Sequence, residues 1–163
     1  MQHTHDTFSA AKQTKEIILL CDHITGPANQ GALFRLADAF GIQEIVFVGN
    51  TPDMSSSRLK KTARSTQEYV SHSTTTDGLK TLQTYKDKGY HSIALEITAD
   101  STSISELATT SDKLLLLIGN EQTGVSQELL ELVDLTTHIK MYGHNSSMNV
   151  AQATAVALYQ LSQ

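Results

Sequence analysis

The feature that most constrains the fold of this sequence is a series of short, almost continuously apolar runs. The clearest is Leu-Leu-Leu-Leu-Ile at residues 114–118, and a similar run, Ile-Ile-Leu-Leu-Cys, lies at residues 17–21. Such runs are typical of strands buried on both faces of a parallel sheet, whereas half-exposed antiparallel strands alternate apolar and polar residues. Six segments are therefore predicted as strands of a mostly parallel sheet: 17–21, 44–48, 68–72, 92–97, 114–118 and 136–140.

Stretches with helical periodicity separate these strands. Residues 29–40 place their apolar side chains on one face, and Gly41, which follows, favours the left-handed backbone of a helix end. The other predicted helices span 58–64, 77–88, 126–133 and about 146–161, with polar loops at 73–76 and 98–103. This alternation predicts one α/β domain over residues 1–163, in which helices flank the sheet and residues 1–14 form a flexible or helical arm.

The composition excludes several classes of protein. Hydrophobic residues make up 39% of the chain and charged residues 18%, as in ordinary globular proteins. No apolar run is long enough to span a membrane, and the polar N-terminus lacks the apolar core of a signal peptide, so a cytoplasmic protein without a membrane partner is expected. The single cysteine, Cys21, is interpreted as a buried hydrophobic residue, and no cysteine–histidine cluster indicates a metal site.

The charge distribution carries a weak signal for nucleic-acid binding. The net charge of −5 disfavours non-specific binding to phosphates. Four of the 12 basic residues nevertheless lie in one short predicted helix and are called the basic cluster here: Arg58, Lys60, Lys61 and Arg64. Taken alone, this cluster is interpreted as a solvated helix face, because charged residues on a helix most often only face water.

The first of three unusual loops leads into the helix predicted at residues 29–40. Ligands of parallel sheets bind outside the carboxyl ends of the strands, which is where this loop lies. Asn29 is predicted to cap the helix, and Gly31 permits a close approach of backbone or ligand. Arg35 has two interpretations that the residues leave open: contact with a phosphate or developing oxyanion, or a structural salt bridge.

The second loop contains Gly119, Asn120, Glu121 and Gly124 between a buried strand and a helix. This arrangement is typical of sites for nucleotide-like ligands, although the loop contains neither GxGxxG nor a Walker sequence. Glu121 would repel phosphates, so an adenosine that bears an amino-acid tail fits the charge better. A plain tight turn is the alternative that this loop alone leaves open.

The third loop, at residues 139–149, precedes an alanine-rich helix. Ser147 and Asn149 carry side chains that can hold a hydroxyl or a carboxylate, and backbone N–H groups at a helix start are available to a ligand. The small residues of the helix permit close approach of another helix, as at a dimer contact, and they also suit a helix packed on the sheet. Both interpretations can hold together.

The three loops together resemble a known family. Asn29-x-Gly31-x-x-x-Arg35, Gly119-Asn120-Glu121-x-x-Gly124 and Ser147-Met148-Asn149-Val150-Ala151-x-Ala153 are similar, in order and spacing, to the three motifs of the SpoU/TrmH family of the SPOUT superfamily. The resemblance covers the chain from about Lys15. It implies a SPOUT-type α/β fold whose C-terminal segment forms a deep trefoil knot, which general rules of chain topology would not suggest.

The resemblance also implies an activity: transfer of a methyl group from S-adenosylmethionine to a ribose 2′-hydroxyl of RNA by a homodimer, with tRNA favoured as substrate and rRNA open. The implied cofactor contacts are Leu95, Gly119, Asn120, Gly124, Ile139, Met141, Ser147 and Met148. The implied catalytic residues are Arg35, Asn29, Glu121, Ser147 and Asn149. Arg35 would assist proton removal from the attacking hydroxyl or stabilise its developing negative charge. In this context the basic cluster becomes a predicted RNA contact.

The sequence departs from the family pattern at three positions. Lys140 stands where proline is common, Met148 where leucine is usual, and Ala151 where serine is common. Lys140 and the short chain motivate an alternative, a catalytically inactive SPOUT-fold RNA-binding or interaction protein. A Rossmann-type nucleotide binder is a third hypothesis, and the missing GxGxxG disfavours it. The joint presence of the five implied catalytic residues favours the enzyme.

Overall fold

The sheet runs through the centre of the molecule. The structure, a computed structural model, describes residues 9–163. Seven strands, all parallel, form one sheet in the order β3-β2-β1-β6-β4-β7-β5. The strands are β1 (Glu16–Asp22), β2 (Glu44–Val48), β3 (His72–Thr75), β4 (His91–Leu95), β5 (Thr102–Ser103), β6 (Lys113–Ile118) and β7 (Leu135–His138).

The central strands are covered on both faces by helices. These helices are α1 (Pro27–Phe40), α2 (Ser57–Ala63), α3 (Gly78–Asp87), α4 (Gln127–Leu132) and α5 (Val150–Leu161). Successive side chains of β6 enter opposite cores, because Leu114 and Leu116 pack with α1, α2 and α5 while Leu115 and Leu117 pack with α3 and α4. The apolar runs thus supply two cores, and the predicted parallel sheet with flanking helices is confirmed.

The two edges of the sheet differ from the prediction. The strand predicted at 68–72 is wrong except at its last residue: Thr66–Glu68 forms a 3-10 turn, and β3 begins at His72 and continues into 73–75, which were predicted as a polar loop. The short β5 likewise lies within the predicted loop 98–103. Each edge strand pairs with a single neighbour, and its polar side chains give no buried pattern to detect.

Helix ends explain two further differences. α1 begins at Pro27, after Gly26, so Asn29 lies inside the first turn and is not the cap. α5 begins at Val150 because Asn149 caps it, which leaves residues 146–149 outside the predicted helix. The predicted stop at Gly41 is confirmed by its φ of 62°. Asn29 in α1 and Asn149 before α5 therefore occupy positions in their helices that differ from the predicted ones.

The beginning of the described chain is anchored without being helical. Of the predicted arm 1–14, residues 1–8 lie outside the described residues, and residues 9–14 have no regular structure. The Gln13 side-chain amide donates to Phe40 O at 3.1 Å, and Lys15 Nζ donates to Leu161 O at 2.9 Å. These contacts join the start of β1 to the ends of α1 and α5.

Cys21 is fully buried in β1, as predicted. Burial, with the nearby Asp22 and Glu121 carboxylates, raises the pKa of its thiol well above the ordinary value. A thiol of this kind is inert at neutral pH, so the role of Cys21 is packing in the core.

None of the helices within residues 9–163 has the length and apolarity needed to cross a membrane.

Asp134 joins the starts of β4 and β7. Its Oδ2 accepts from Ser92 N at 2.8 Å and from Ser92 Oγ at 2.7 Å, and Lys86 Nζ lies 2.9 Å from Oδ1. Partial burial raises the pKa of Asp134, but the Ser92 hydrogen bonds and Lys86 outweigh burial and lower it to about 2. The charged carboxylate therefore stabilises the folded state above the ordinary pKa of aspartate, near 4, and this contribution is lost as pH falls towards 2.

Asp134→Asn is expected to lower the free energy of unfolding by about 1 kcal/mol at neutral pH, since it removes the charge that Ser92 and Lys86 contact. Denaturant unfolding at pH 7, 4 and 2.5 measures the effect, and the difference from the unsubstituted protein should shrink at the lowest pH. The exposed Asp100→Asn is the control and should match the unsubstituted protein. A difference for Asp134→Asn that does not vary with pH would contradict the assigned pKa shift.

Candidate active site

A cavity of about 590 Å³ opens at the carboxyl ends of β4, β6 and β7. Its wall combines strand ends with the second motif (residues 119–124) and the third motif (residues 147–153). The structure brings all the predicted cofactor contacts together in this wall: Leu95, Gly119, Asn120, Gly124, Ile139, Met141, Ser147 and Met148. The implied catalytic Glu121 lies there too, whereas Arg35, Asn29 and Asn149 do not.

The second motif forms a tight turn that only glycine permits at two positions. Asn120 and Gly124 exchange two backbone hydrogen bonds, of 3.0 and 2.9 Å. A Cβ atom at Gly119 would overlap the backbone of Gly124 and Val125, and Gly124 has a φ of +72°. The turn therefore presents main-chain groups along the cavity wall.

Asn120 ties the second motif to the loop after β1. Its side-chain oxygen accepts from Gln122 N at 2.9 Å and from Thr123 N at 3.1 Å, which holds the turn closed. Its side-chain amide donates to His23 O at 2.7 Å. A residue predicted as a cofactor contact thus also positions the neighbouring loop.

A chain of hydrogen bonds joins the three motifs within one subunit. Glu121 Oε1 accepts from Asn29 Nδ2 at 3.0 Å and from Gly26 N at 3.1 Å. Asn29 Oδ1 in turn accepts from Asn149 Nδ2 at 2.9 Å. Partial burial raises the pKa of Glu121, but the donors from Asn29 and from the backbone outweigh burial and lower it. Glu121 is therefore a carboxylate at neutral pH, fixed by the first motif (residues 29–35).

Asn149 also has a structural role, because it caps the start of α5. Its Oδ1 accepts from Ala151 N at 2.9 Å and from Gln152 N at 3.2 Å, and so caps α5. Ser147, two residues earlier, is exposed in the cavity wall. Its hydroxyl has no hydrogen-bond partner among residues 9–163, while the Asn149 side chain already contacts Asn29 and the start of α5.

The cavity wall is acidic. Its carboxylates are Glu96 and Glu121, and the described residues that line it include no lysine or arginine. Glu96 accepts from Val125 N at 3.1 Å and from Ile97 N at 2.9 Å, which links the end of β4 to the second motif. Glu96 was not predicted from the sequence, although it directly follows Leu95, a predicted contact. An acidic wall favours a ligand that carries positive charge and disfavours phosphates.

Arg35 does not line this cavity. It follows Asn29 by six residues, which on a helix means a rotation of about 240° and a rise of about 9 Å. The side chain is exposed, and no ion pair to it occurs within residues 9–163. The structural salt bridge considered for Arg35 is thus not found in the described part of the chain, and its guanidinium is open to an external anion.

The basic cluster lies on the same side of the sheet as Arg35. Its four residues are exposed on α2 or at its end, while Leu59 and Ala63 of α2 are buried. α2 packs closely on α1, because a Cβ atom at Gly31 would overlap Leu59 O and Thr62 Oγ1. Gly31 and Arg35 are about one turn apart on α1 and therefore lie on the same side of this helix. α2 thus packs against the side of α1 that carries Arg35.

The three motifs lie within a match to a known family. The model of the family described as the SpoU rRNA Methylase family matches residues 16–159, nearly the whole described chain. The chain belongs to the SpoU rRNA methylase family. The resemblance carried by the three motifs is thereby confirmed at the level of the family.

Two SpoU-type relatives act on different RNAs. The chain is 33% identical over 154 residues to a Bacillus subtilis (strain 168) protein named 23S rRNA (guanosine(2553)-2′-O)-methyltransferase RlmP, a match that covers 91% of this chain and 58% of that protein. It is 26% identical over 149 residues to the Aquifex aeolicus (strain VF5) tRNA (guanosine(18)-2′-O)-methyltransferase, covering 91% of this chain and 70% of that one. The chain thus spans somewhat under two thirds of the first relative.

Solved SpoU-type structures share the fold. The A. aeolicus TrmH/SpoU tRNA modifying enzyme superimposes with a TM-score of 0.81 at 26% identity, covering 93% of this chain and 76% of that one. An AdoMet-bound rRNA methyltransferase from Sinorhizobium meliloti gives a TM-score of 0.80 at 24% identity, covering 92% of this chain and 57% of that one. The parallel sheet with its flanking helices is therefore that of the SpoU enzymes.

The described part of this SpoU-family chain holds no group of three or more His, Cys, Asp or Glu side chains arranged for a metal ion. One contact near the site, between Asp22 and His23, was also not predicted from the sequence: the ring Nδ1 of His23 lies 2.6 Å from the Asp22 carboxylate. The position of this pair at the carboxyl end of β1, at the ligand-binding edge of the sheet, is the signal that could have found it.

Proposed function

We propose that this chain is an RNA methyltransferase of the cytoplasm that transfers a methyl group from S-adenosylmethionine to a ribose 2′-hydroxyl of RNA. The observation that carries the proposal is the joining of all three motifs around one acidic cavity through Glu121, Asn29 and Asn149. Relatives named as 2′-O-methyltransferases of tRNA and of 23S rRNA support it. Both RNAs are candidate substrates, and we favour tRNA.

The cavity suits S-adenosylmethionine in size and charge. Its volume of about 590 Å³ lies within the range of small-molecule sites. Glu96 and Glu121 complement a cation, and the glycine-rich second motif offers main-chain groups to an adenosine without phosphates. Bound there, the cofactor supplies an electrophilic methyl group on a positively charged sulfur.

The residues of the chain then have distinct roles. Glu121 and Asn29 fix the start of α1 against the second motif, and Ser147 offers a free hydroxyl to the RNA ribose. Arg35 stabilises the negative charge that develops on the ribose oxygen as its proton leaves. A guanidinium suits this electrostatic role better than that of a proton acceptor, because it stays protonated in proteins.

We propose that the enzyme is a homodimer in which Arg35 of one subunit serves the cavity of the other, because Arg35 does not line the cavity of its own chain. In this arrangement α1 of one subunit lies at the mouth of the other subunit's cavity. Exposed apolar side chains offer a surface for this contact: on α5 Val156 at 40% and Tyr159 at 62%, in the cavity wall Met148 at 38%, and in the loop before the third motif Tyr142 at 94%. The other face of α5 packs on α1, so α5 serves the core as well.

Methyl transfer to RNA tests the proposal. The purified chain is incubated with S-adenosylmethionine that carries a labelled methyl group and with size-fractionated cellular RNA. Label in one RNA fraction supports the enzyme and identifies the class of substrate. Binding of both cofactor and RNA without label in any fraction would favour the inactive RNA-binding alternative.

Reversing the charge of Lys60 and Lys61 together is expected to weaken RNA binding. The slope of log affinity against log salt concentration should also become less steep, by about one unit for each phosphate that is no longer neutralised. The reason is that both side chains are exposed on the helix that packs beside Arg35. Filter binding at several salt concentrations measures both quantities.

The matched control reverses Lys80 and Lys88, which are exposed at α3 on the opposite face of the sheet. This control carries the same change in net charge, so a difference between the two double variants reports position. An equal drop in RNA affinity in both would show that the basic cluster has no specific role.

A further inference from the structure

The ring of His23 is immobilised although much of it faces solvent. His23 Nδ1 lies 2.6 Å from Asp22 Oδ1, and the side chain is 57% exposed while that of Asp22 is 3% exposed. The backbone of His23 has a φ of 53°, a left-handed conformation that is uncommon for any residue but glycine. An exposed side chain held by a buried carboxylate and an unusual backbone is presented for contact with something outside the chain.

Gly49 supports one face of this ring. A Cβ atom at Gly49 would overlap Cδ2 and Nε2 of His23, so the imidazole lies directly on the bare backbone at the end of β2. His23 N also donates to Val48 O at 3.1 Å. The ring is therefore fixed at its edge and against Gly49, while more than half of the side chain stays exposed.

The partners of His23 are themselves fixed. Asp22 Oδ2 accepts from Ser126 N at 2.7 Å, at the start of α4. His23 O accepts from Asn120 Nδ2 at 2.7 Å, and Asn120 lines the cofactor cavity. The ring thus stands beside the second motif, at the same edge of the sheet as the proposed reaction.

A polar cleft of about 380 Å³ adjoins the ring at the ends of β2 and β3. Its lining is uncharged and rich in hydroxyl groups: Gly49, Asn50, Thr51, Thr74, Thr75 and Thr76. Gly49 belongs both to this cleft and to the support of the ring. Neutral hydroxyl and amide groups suit the polar edge of a nucleobase, which carries donors and acceptors but no charge.

We propose that His23 is a stacking platform for a second base of the substrate RNA, close to the methylated nucleotide, and that the adjoining cleft binds the edge of that base. The proposal rests on the proposed function. Aromatic side chains with one open face bind unstacked bases in this way, and the platform gains from being held in place before the RNA arrives. Asp22 and Gly49 are its positioning residues.

Two substitutions separate stacking from other roles of the imidazole. His23→Asn removes the ring and tolerates the left-handed backbone, so the fold is retained. His23→Phe keeps an aromatic face on Gly49 and removes both ring nitrogens. Methyl transfer is measured with unfractionated tRNA and, separately, with ribosomal RNA, together with the affinity for each RNA and for S-adenosylmethionine.

His23→Asn is expected to raise the KM for RNA about 5-fold or more, with cofactor affinity unchanged and kcat little affected. His23→Phe should lie between the unsubstituted protein and His23→Asn, because it keeps the aromatic face but loses the contact with Asp22 Oδ1 and is strained at the left-handed backbone. Unchanged KM in His23→Asn, or a KM in His23→Phe raised as much as that in His23→Asn, would overturn the platform while the unsubstituted protein still transfers methyl groups. If the unsubstituted protein neither binds nor methylates either RNA, the proposed function fails and the platform fails with it.

Discussion

Replacing Arg35 by alanine is expected to lower kcat for methyl transfer at least about 100-fold, the usual loss when a group that stabilises developing charge is removed. The affinity for S-adenosylmethionine should not change, since Arg35 is assigned to the ribose oxygen and does not line the cavity of its own chain. Stability should change little because the side chain is exposed. Single-turnover transfer at saturating RNA and cofactor, together with calorimetric titration of the cofactor, measures both quantities.

Arg58→Ala is the control for loss of one exposed positive charge on the same side of the sheet, and it should retain kcat. Unchanged kcat in Arg35→Ala would contradict the role assigned to Arg35. Equal loss of kcat and of cofactor affinity would contradict it as well, because that result indicates damage to the cavity.

Mixing two inactive variants tests whether Arg35 acts across subunits. A dimer of one Arg35→Ala chain and one Gly119→Ala chain has one intact cavity facing one intact arginine if the arginine comes from the partner. Random exchange of subunits should then restore about a quarter of the activity. An arginine that acts within its own chain leaves every cavity defective, so no activity would return.

The second large effect is expected from Gly119→Ala. This substitution should displace the second motif, weaken cofactor binding and thereby lower kcat/KM about 100-fold. The added methyl group would overlap the backbone of Gly124 and Val125, so the second motif must move as a unit. These backbone groups belong to the cavity wall. Calorimetric titration with S-adenosylmethionine measures the loss of binding, and circular dichroism checks that the chain is folded.

Gly143→Ala is the matched control, because a Cβ atom there meets nothing within 4 Å and the residue lies in the exposed loop before the third motif. It should bind cofactor like the unsubstituted protein. Cofactor affinity that is normal in Gly119→Ala would show that the second motif does not form the proposed site.

The sequence predicts the centre of the fold better than its edges, for a physical reason. β1 and β6 need apolar side chains on both faces, so burial appears directly in the sequence at residues 17–21 and 114–118. β3 has neighbours on one side only and is made of His, Ser and Thr, which resemble a loop. The β-branched threonines of β3 are the one signal for a strand that the prediction of a polar loop overlooked.

The sequence predicts the site residues that lie in loops following strands. It does not predict which contacts the side chains of α1 make. The cavity residues Gly119, Ile139 and Met148 follow from the motifs. The spacing from Asn29 to Arg35 indicates one helix, yet only the structure shows that Asn29 contacts Glu121 while Arg35 is exposed outside the cavity wall. The deep trefoil knot and the dimer stay predictions, because neither leaves a pattern in the order of residues.

The position of the transferred methyl group, on a ribose oxygen of RNA, is the central claim. RNA labelled by the purified chain is digested to nucleosides, and the methylated product is separated and its mass measured after loss of the sugar. We predict a nucleoside whose methyl group is lost with the ribose, produced by the unsubstituted chain and not by Arg35→Ala. A methyl group that stays on the base would contradict the claim even if transfer to RNA is efficient.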